Sequence, residues 1–162
     1  MAETLSVGDM LPNKFEPKRK FRWVFAIEGI DAFLMKSANR PSVTIGEQTV
    51  EFINSKRYLA GKISYETIGV SLHDPIAPSG AQQVMEWIRT HTETVSGRSG
   101  YADFYKRDCQ LKMLDPVGTV VELWDLKGCF LTNVVFGDLD YGAEDPTDIQ
   151  LTIRFDNCVL QY

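Results

Sequence analysis

The chain has 162 residues, with 17 basic and 22 acidic side chains and a net charge of −5. That length suggests one domain spanning residues 1–162, with enough chain to bury a substantial core. An acidic chain is a poor candidate for a dedicated nucleic-acid binder, which needs a basic stripe to displace counterions from phosphates. The one basic cluster, Lys14 with the cations of residues 18–22, is interpreted as an exposed or subunit-contacting edge before the first strand.

Neither a membrane span nor a secretion signal is predicted. No apolar run approaches the length of a membrane helix, and the N-terminus lacks the basic-then-apolar layout of a signal peptide. Cys109, Cys129 and Cys158 form an odd set without metal-site spacing, and each lies beside apolar residues, which favours buried, reduced thiols. Synthesis in a reducing cytoplasm, without membrane insertion, is therefore expected.

The first half of the chain alternates between apolar and polar residues, a pattern typical of half-buried strands. Residues 21–27 predict an aromatic-faced strand, and Gly29 is expected to reverse the chain into a hairpin with residues 32–36. Residues 43–53 predict a second long strand with a bulge near Gly46. Residues 54–62 are polar, basic and glycine-containing, and are interpreted as an elaborate loop.

The second half adds one helix and several strands. A strand is predicted over residues 63–74, and Ser79 and Gln82 form a capping-box pattern at the start of a helix. Its apolar face follows helical spacing through Ala81, Val84, Trp87, Ile88 and His91. Further strands are predicted over 106–114, 119–126, 128–136 and 149–156. The predicted fold is mainly β with one α-helix, an antiparallel β-sandwich or barrel.

No pattern for catalysis, a metal or a cofactor is present. The sequence lacks a phosphate-binding loop and a nucleophile elbow, and its two histidines, His73 and His91, lie in separate segments. The acidic run from Asp138 to Asp145 departs from a calcium loop at three required positions, Gly142, Ala143 and Ile149. We therefore expect no enzymatic activity, no cofactor and no metal site.

From residue 20 onward the sequence resembles the tail-tube proteins of contractile-tailed bacteriophages. The resemblance rests on the order of several pieces: the aromatic first strand, the segment from Ala38 to Pro41, the Tyr-Leu-Ala-Gly run beginning at Tyr58, the helix around Trp87, and the Asp-Leu-Asp-Tyr turn before the last strand. Leu131 stands where many relatives have proline, and Cys129 and Cys158 are not family landmarks.

The resemblance implies a structural virion protein of the phage tail. Six copies would form a ring, and rings would stack into a hollow tube inside a contractile sheath, through which DNA and the tape-measure protein pass. Partners would be further copies of the chain, the sheath protein and baseplate proteins, with DNA passing transiently and without specific binding. Related tubes serve type VI secretion and extracellular injection particles.

The resemblance also suggests which residues make the contacts. Contacts between rings or subunits are assigned to two segments: Lys56, Arg57, Tyr58 and Leu59, and Asp138, Asp140 and Tyr141. An N-terminal arm, residues 1–18, is expected to become ordered on assembly. Candidates for the lumen wall are the polar residues Ser64, Glu66, Gln150 and Thr152.

Two other classes of function remain open at this point. One is a tube or baseplate ring protein of a related contractile injection system, which would have nearly the same sequence pattern. The other is a small monomeric β-sandwich binding module or hydrolase. That class predicts a stable monomer with a defined pocket, whereas a tube protein predicts rings or filaments.

Overall fold

The computed structural model describes Gly8 and residues 14–162. The N-terminal arm predicted for residues 1–18 lies largely outside this part of the chain. The strands, in chain order, are β1 (Trp23–Ile27), β2 (Met35–Ala38), β3 (Val43–Phe52), β4 (Ser55–Tyr65), β5 (Ile68–His73), β6 (Arg107–Leu114), β7 (Val120–Val135), β8 (Asp148–Arg154) and β9 (Asn157–Leu160). The helices are α1 (Gly80–His91) and the one-turn α2 (Ala102–Tyr105), and a short 3-10 turn spans Ala32–Leu34.

Seven of the strands form two antiparallel layers that share β7. The first layer runs β1-β6-β7-β9 and the second runs β7-β8-β5-β2. The core lies between the layers, where Phe25, Leu72, Leu126 and Ile153 are almost fully buried. The mainly β, antiparallel architecture predicted from the sequence is confirmed.

Strand β7 serves both layers by pairing with β6 as far as Cys129 and with β8 from Phe130 onward, and Gly128 lies beside this change. This glycine has φ +68°, and a Cβ there would lie 2.2 Å from a carboxylate oxygen of Asp156. The left-handed conformation and the close approach together require glycine. The predicted strands over 119–126 and 128–136 are therefore one continuous strand that changes layer at its middle.

Helix α1 closes one side of the core, as predicted. The Ser79 hydroxyl accepts a hydrogen bond from the Gln82 amide, and Val84 and Trp87 are buried. The indole N–H of Trp87 donates to the Tyr105 carbonyl at 2.8 Å, and the Arg107 guanidinium lies 5.0 Å from the centre of the indole ring. The Trp87 side chain thus holds α1, α2 and the start of β6 together.

The predicted hairpin between residues 21–27 and 32–36 is wrong. β1 pairs with β6 and β2 pairs with β5, so the two segments belong to different layers. The 3-10 turn carries the chain from the first layer to the second, and its buried Leu34 side chain fixes the turn against the core. Long-range pairing has overridden the local turn signal, and β1 and β2 are left as facing edges.

The loop assignment for residues 54–62 is also wrong. These residues belong almost entirely to β4, which pairs with β3 in a separate two-stranded sheet. The predicted bulge near Gly46 is confirmed, because the register shifts between Ile45 and Glu47. The strand predicted over residues 63–74 is divided at Glu66, where β4 ends and the chain turns into β5.

Candidate interaction surfaces

Strands β3 and β4 form an extended hairpin that has no core of its own. Every residue of β3 is exposed, and in β4 all but Tyr65 are exposed. Its exposed side chains include large apolar ones: Val43, Ile45, Val50, Phe52, Ile53, Tyr58, Leu59 and Ile63. Two-stranded hairpins are marginal in water, so this much bare apolar surface indicates a missing partner.

The extended hairpin brings together four of the predicted contact residues. Lys56, Arg57, Tyr58 and Leu59 lie in sequence along β4, opposite Glu51, Val50, Thr49 and Gln48 of β3. Because side chains alternate along a strand, Arg57 and Leu59 share one face and Lys56 and Tyr58 the other. The Lys56 ammonium pairs with Glu51 at 3.1 Å, while 63% of Tyr58 is accessible. Both faces thus present side chains suited to a protein contact.

The other three predicted contact residues lie in an acidic loop, residues 136–147. Asp138, Asp140 and Tyr141 are all exposed, and Tyr141 is completely so. The Asp140 carboxylate accepts the Gly142 amide N–H at 3.0 Å, and its carbonyl accepts the Ala143 amide at 3.2 Å. Asp140 therefore shapes the turn that holds Leu139 and Tyr141 outward. Asp138 has no comparable role in the turn.

The extended hairpin and the acidic loop emerge from opposite ends of the second layer. β4 leads into the start of β5 at Ile68, whereas the acidic loop leads into Asp148, which pairs with His73 at the far end of β5. Five residue steps along a strand correspond to about 17 Å. The structure therefore separates the two groups of predicted contact residues instead of joining them in one site.

The predicted lumen residues form two pairs. Gln150 and Thr152 lie on β8 and point away from the core, because Ile149, Leu151 and Ile153 between and beside them are buried. Ser64 lies on β4, where its hydroxyl donates to the Thr44 carbonyl at 3.3 Å. Glu66 follows the end of β4 and accepts from the Thr44 hydroxyl at 3.1 Å, so it does not share a strand with Ser64.

A groove of about 1160 Å³ separates the facing edges of β1 and β2. We call it the seam groove. Its floor is apolar and buried, formed by Phe25, Leu111 and Met113, and the exposed rings of Phe21 and Phe33 stand at its sides. Its rim is basic and consists of Lys18, Arg19, Lys20, Lys36 and Arg40. Three of these cations, Lys18, Arg19 and Lys20, belong to the basic cluster predicted before the first strand, but the groove itself could not be predicted because it depends on how distant strands pair.

Glu122 holds one end of the seam groove together. Its carboxylate is 4% exposed and binds Lys18, Arg40 at 2.5 Å and the indole N–H of Trp124. Burial opposes ionisation, but hydrogen bonds from Lys18, Trp124 and Arg40 outweigh it and lower the pKa of Glu122 to about 2. A carboxylate in phase with the apolar Trp124 and Leu126 of β7 is the sequence signal that would have identified it.

This ion cluster predicts a specific acid sensitivity. A carboxyl group whose pKa is near 2 in the folded chain, against a usual 4.5, contributes stability above pH 4.5 and loses it as the pH falls toward 2. Because Lys18 and Arg40 are about half exposed, solvent screens the pairs, and we expect a contribution of about 1–2 kcal/mol. Urea unfolding of Glu122→Gln should show that deficit at pH 7 and a much smaller one at pH 2.5. A deficit independent of pH would contradict the ion-pair account.

The described residues show no candidate metal site. Between residues 14 and 162 no three histidine, cysteine or acidic side chains are placed to hold a metal ion. The three cysteines are free thiols; Cys109 and Cys129 are buried as expected, whereas Cys158 is only half-buried. No helix in the described part is long and apolar enough to cross a membrane.

Solved structures share this fold. No family model and no curated protein matches the sequence. A chain of the anti-feeding prophage cap (AFP tube terminating cap) has a TM-score of 0.76 at 15% identity, with 97% of this chain and 99% of that chain covered. A chain of the PVC sheath-tube complex, an extracellular contractile injection system, has a TM-score of 0.63 at 15% identity, covering 98% and 99%. Hcp1 from Flavobacterium johnsoniae has a TM-score of 0.52 at 13% identity, covering 87% and 95%.

These similarities define the class of fold. The chain has the fold of the tube and cap structures of contractile injection systems and of Hcp1, over nearly its whole length. The tail-tube fold implied by the sequence resemblance is therefore confirmed.

Proposed function

We propose that this chain is a structural subunit that forms hexameric rings, which stack into a hollow tube inside the contractile sheath of a bacteriophage tail. The observation that carries the proposal is the extended hairpin, 21 residues of paired strand with only Tyr65 withdrawn from solvent. A chain that functioned alone would leave this apolar surface uncovered. In a tube the partner would be another copy of the same chain.

Ring formation is supported by the open edges of the two layers. Within the described residues β1 pairs only with β6, β2 only with β5, and β9 only with β7. Each of these strands therefore has one side of unpaired backbone groups that a neighbouring copy can complete. A head-to-tail contact of this kind closes into a ring when its rotation matches the number of copies.

Stacking is supported by the placement of the two contact regions at opposite ends of the subunit. The extended hairpin carries Lys56, Arg57, Tyr58 and Leu59 toward one side, and the acidic loop carries Asp138, Asp140 and Tyr141 toward the other. Rings that stack in one direction need different surfaces above and below. We assign Arg57 and Tyr58 as anchors between rings, because these residue types dominate contact energies.

The lumen wall is assigned to Ser64, Glu66, Gln150 and Thr152. Gln150 and Thr152 project from β8, whose other face is buried, and Ser64 and Glu66 add polar side chains at the base of the extended hairpin. In a phage tail DNA and the tape-measure protein would pass along this wall without specific binding, and the sheath and baseplate proteins would meet the outside and the end of the tube. The role is structural rather than enzymatic, with the assembled virion as its location.

A second candidate is a tube or cap subunit of an extracellular injection particle. It is favoured by the match to the anti-feeding prophage cap, which covers both chains almost completely. Negative-stain electron microscopy of concentrated protein tests both candidates. Sixfold hollow tubes of indefinite length support the tube subunit, single rings support a cap, and a stable monomer even on a baseplate nucleus rejects both.

Replacing Tyr58 by Ala tests the hairpin contact. We expect association between rings to weaken by about 30-fold, the effect of losing one interface hot spot of about 2 kcal/mol. Because Tyr58 is exposed, the thermal midpoint of the monomer should not change. Sedimentation velocity measures the first quantity and circular dichroism the second.

Tyr101→Ala is the matched control, since Tyr101 is also an exposed tyrosine but lies outside the extended hairpin. It should leave association unchanged. Equal loss of association in the two variants would show that the hairpin has no special role.

A further inference from the structure

The acidic loop and the seam groove are complementary in charge. The acidic loop carries four carboxylates, Asp138, Asp140, Glu144 and Asp145, and no lysine or arginine. Within residues 14–162 none of the four makes an ion pair. The rim of the seam groove carries five cations, of which three are engaged by Glu122 and Asp148. An excess of positive charge on one surface therefore matches an excess of negative charge on another.

The two surfaces are also complementary in shape and polarity. Leu139 is 88% exposed and Tyr141 fully exposed, on either side of Asp140, whose carboxylate and carbonyl fix the turn. The seam groove offers an apolar floor and two exposed phenylalanine rings. At about 1160 Å³ it exceeds the ~300–1,000 Å³ typical of small-molecule sites, so its size suits a polypeptide loop.

Within one copy the acidic loop does not fill the seam groove, because Tyr141 is completely exposed. Every subunit thus carries both the acidic loop and the seam groove, and its own loop does not occupy its own groove. Two different complementary surfaces on one subunit link identical copies head to tail. The free edges of β1 and β2 add backbone hydrogen-bonding groups for an incoming segment.

We propose that the seam groove receives the acidic loop of a neighbouring copy, with Leu139 and Tyr141 on the apolar floor and Asp138 and Glu144 facing Arg19 and Lys20. The pairing rests on the proposed function, since it requires copies in contact. It makes the seam groove a protein-docking site rather than a ligand pocket. It also explains why β1 and β2 remain apart instead of closing the layers into a barrel.

Site-specific photo-crosslinking tests the pairing directly. Tyr141 is replaced by the photoreactive analogue p-benzoylphenylalanine, and light and ¹⁵N-labelled copies are mixed so that mass spectrometry separates crosslinks between copies from those within one. The expected product joins position 141 of one copy to Phe21, Phe33 or Met35 of another. The same analogue at Val117, an exposed residue of the β6–β7 turn, is the control and should not label the groove.

Crosslinks from position 141 to the extended hairpin, to residues 1–13 or within one copy would overturn the pairing, as would their absence. If rings or tubes still form in that case, the proposed function stands. If the unmodified protein forms no ring or tube under nucleating conditions, it is the proposed function that fails.

A charge exchange provides an independent test. Arg19→Glu with Lys20→Glu should weaken association about tenfold, as should Asp138→Lys with Glu144→Lys, and the combination of all four should restore it. All four side chains are exposed, so thermal unfolding should confirm that each variant folds. Additive losses in the combined variant would overturn the pairing. Asp140 is left unchanged, because its carboxylate holds the turn.

Discussion

Replacing Trp87 by Ala is expected to destabilise the subunit by about 3–5 kcal/mol, the usual cost of removing a buried aromatic side chain. Trp87 is 2% exposed, and its indole N–H donates to the Tyr105 carbonyl at 2.8 Å. The variant loses the packing of α1 and leaves that carbonyl without its side-chain donor. Urea unfolding followed by circular dichroism measures the change in the free energy of unfolding.

Trp87→Phe is the matched control for this prediction. Phenylalanine keeps most of the buried ring but cannot donate the hydrogen bond, so a smaller loss of about 1–2 kcal/mol is expected. If Trp87→Ala costs less than 1 kcal/mol, α1 does not belong to the cooperative core. Helix α1 would then be an independently stable attachment, and the layered architecture described above would need revision.

The sequence predicted the elements whose signals are local. Helix α1 was found from its Ser79 cap and the 3.6-residue spacing of Val84 and Trp87, and both features are present. The turn before β7 also has a local origin, because proline and glycine favour a turn; Gly118 has a positive φ of +94° and its amide donates to the Asp115 carbonyl. The alternation that predicted β8 is the alternation of its burial.

The sequence failed where burial depends on distant segments. β4 appeared to be a loop because its polar and basic residues carry no core-facing alternation, and the structure explains this by leaving both faces of the extended hairpin in solvent. β1 and β2 appeared to form a hairpin because Gly29 signals a reversal, but each found a partner far along the chain. The short α2 and β9 were missed for the same reason.

For the contact residues as well, the sequence indicated local features but not their arrangement in space. The resemblance to tail-tube proteins placed Arg57, Tyr58, Asp138 and Tyr141 in contacts, and the structure finds all four exposed. The resemblance could not indicate that the two groups of contact residues lie at opposite ends of the second layer, because their separation depends on how β5 pairs with β8. The seam groove was predicted only in part. Its basic residues before β1 were interpreted as an exposed or subunit-contacting edge, but its floor also needs β2 and β6, which no local pattern connects to that segment.

Shortening the extended hairpin is expected to prevent rings from stacking into tubes while leaving the subunit folded. Glu47 and Ala60 are directly paired across the hairpin, so residues 48–59 can be replaced by Asn-Gly, which forms a two-residue turn between paired strands. The deleted residues are all exposed and contribute nothing to the core between the layers. The thermal midpoint should change by no more than a few degrees, as expected for a stability change within about 0.5 kcal/mol.

Tube formation, unlike the thermal midpoint, should change strongly. The deletion removes Arg57, Tyr58 and Leu59 together with the apolar side chains of Val50 and Phe52. Electron microscopy of concentrated protein should show no stacked tubes, although single rings can persist if the edges of β1, β2 and β9 are sufficient to close them. The remaining species shows which contact the hairpin makes. If single rings form without tubes, the hairpin is needed only for stacking between rings. If only monomers are found, it is also needed to close each ring. Tubes of normal length would contradict the proposed function of the hairpin. The exposed apolar surface of β3 and β4 would then have to be covered by a different protein, and the sheath would be the first partner to test.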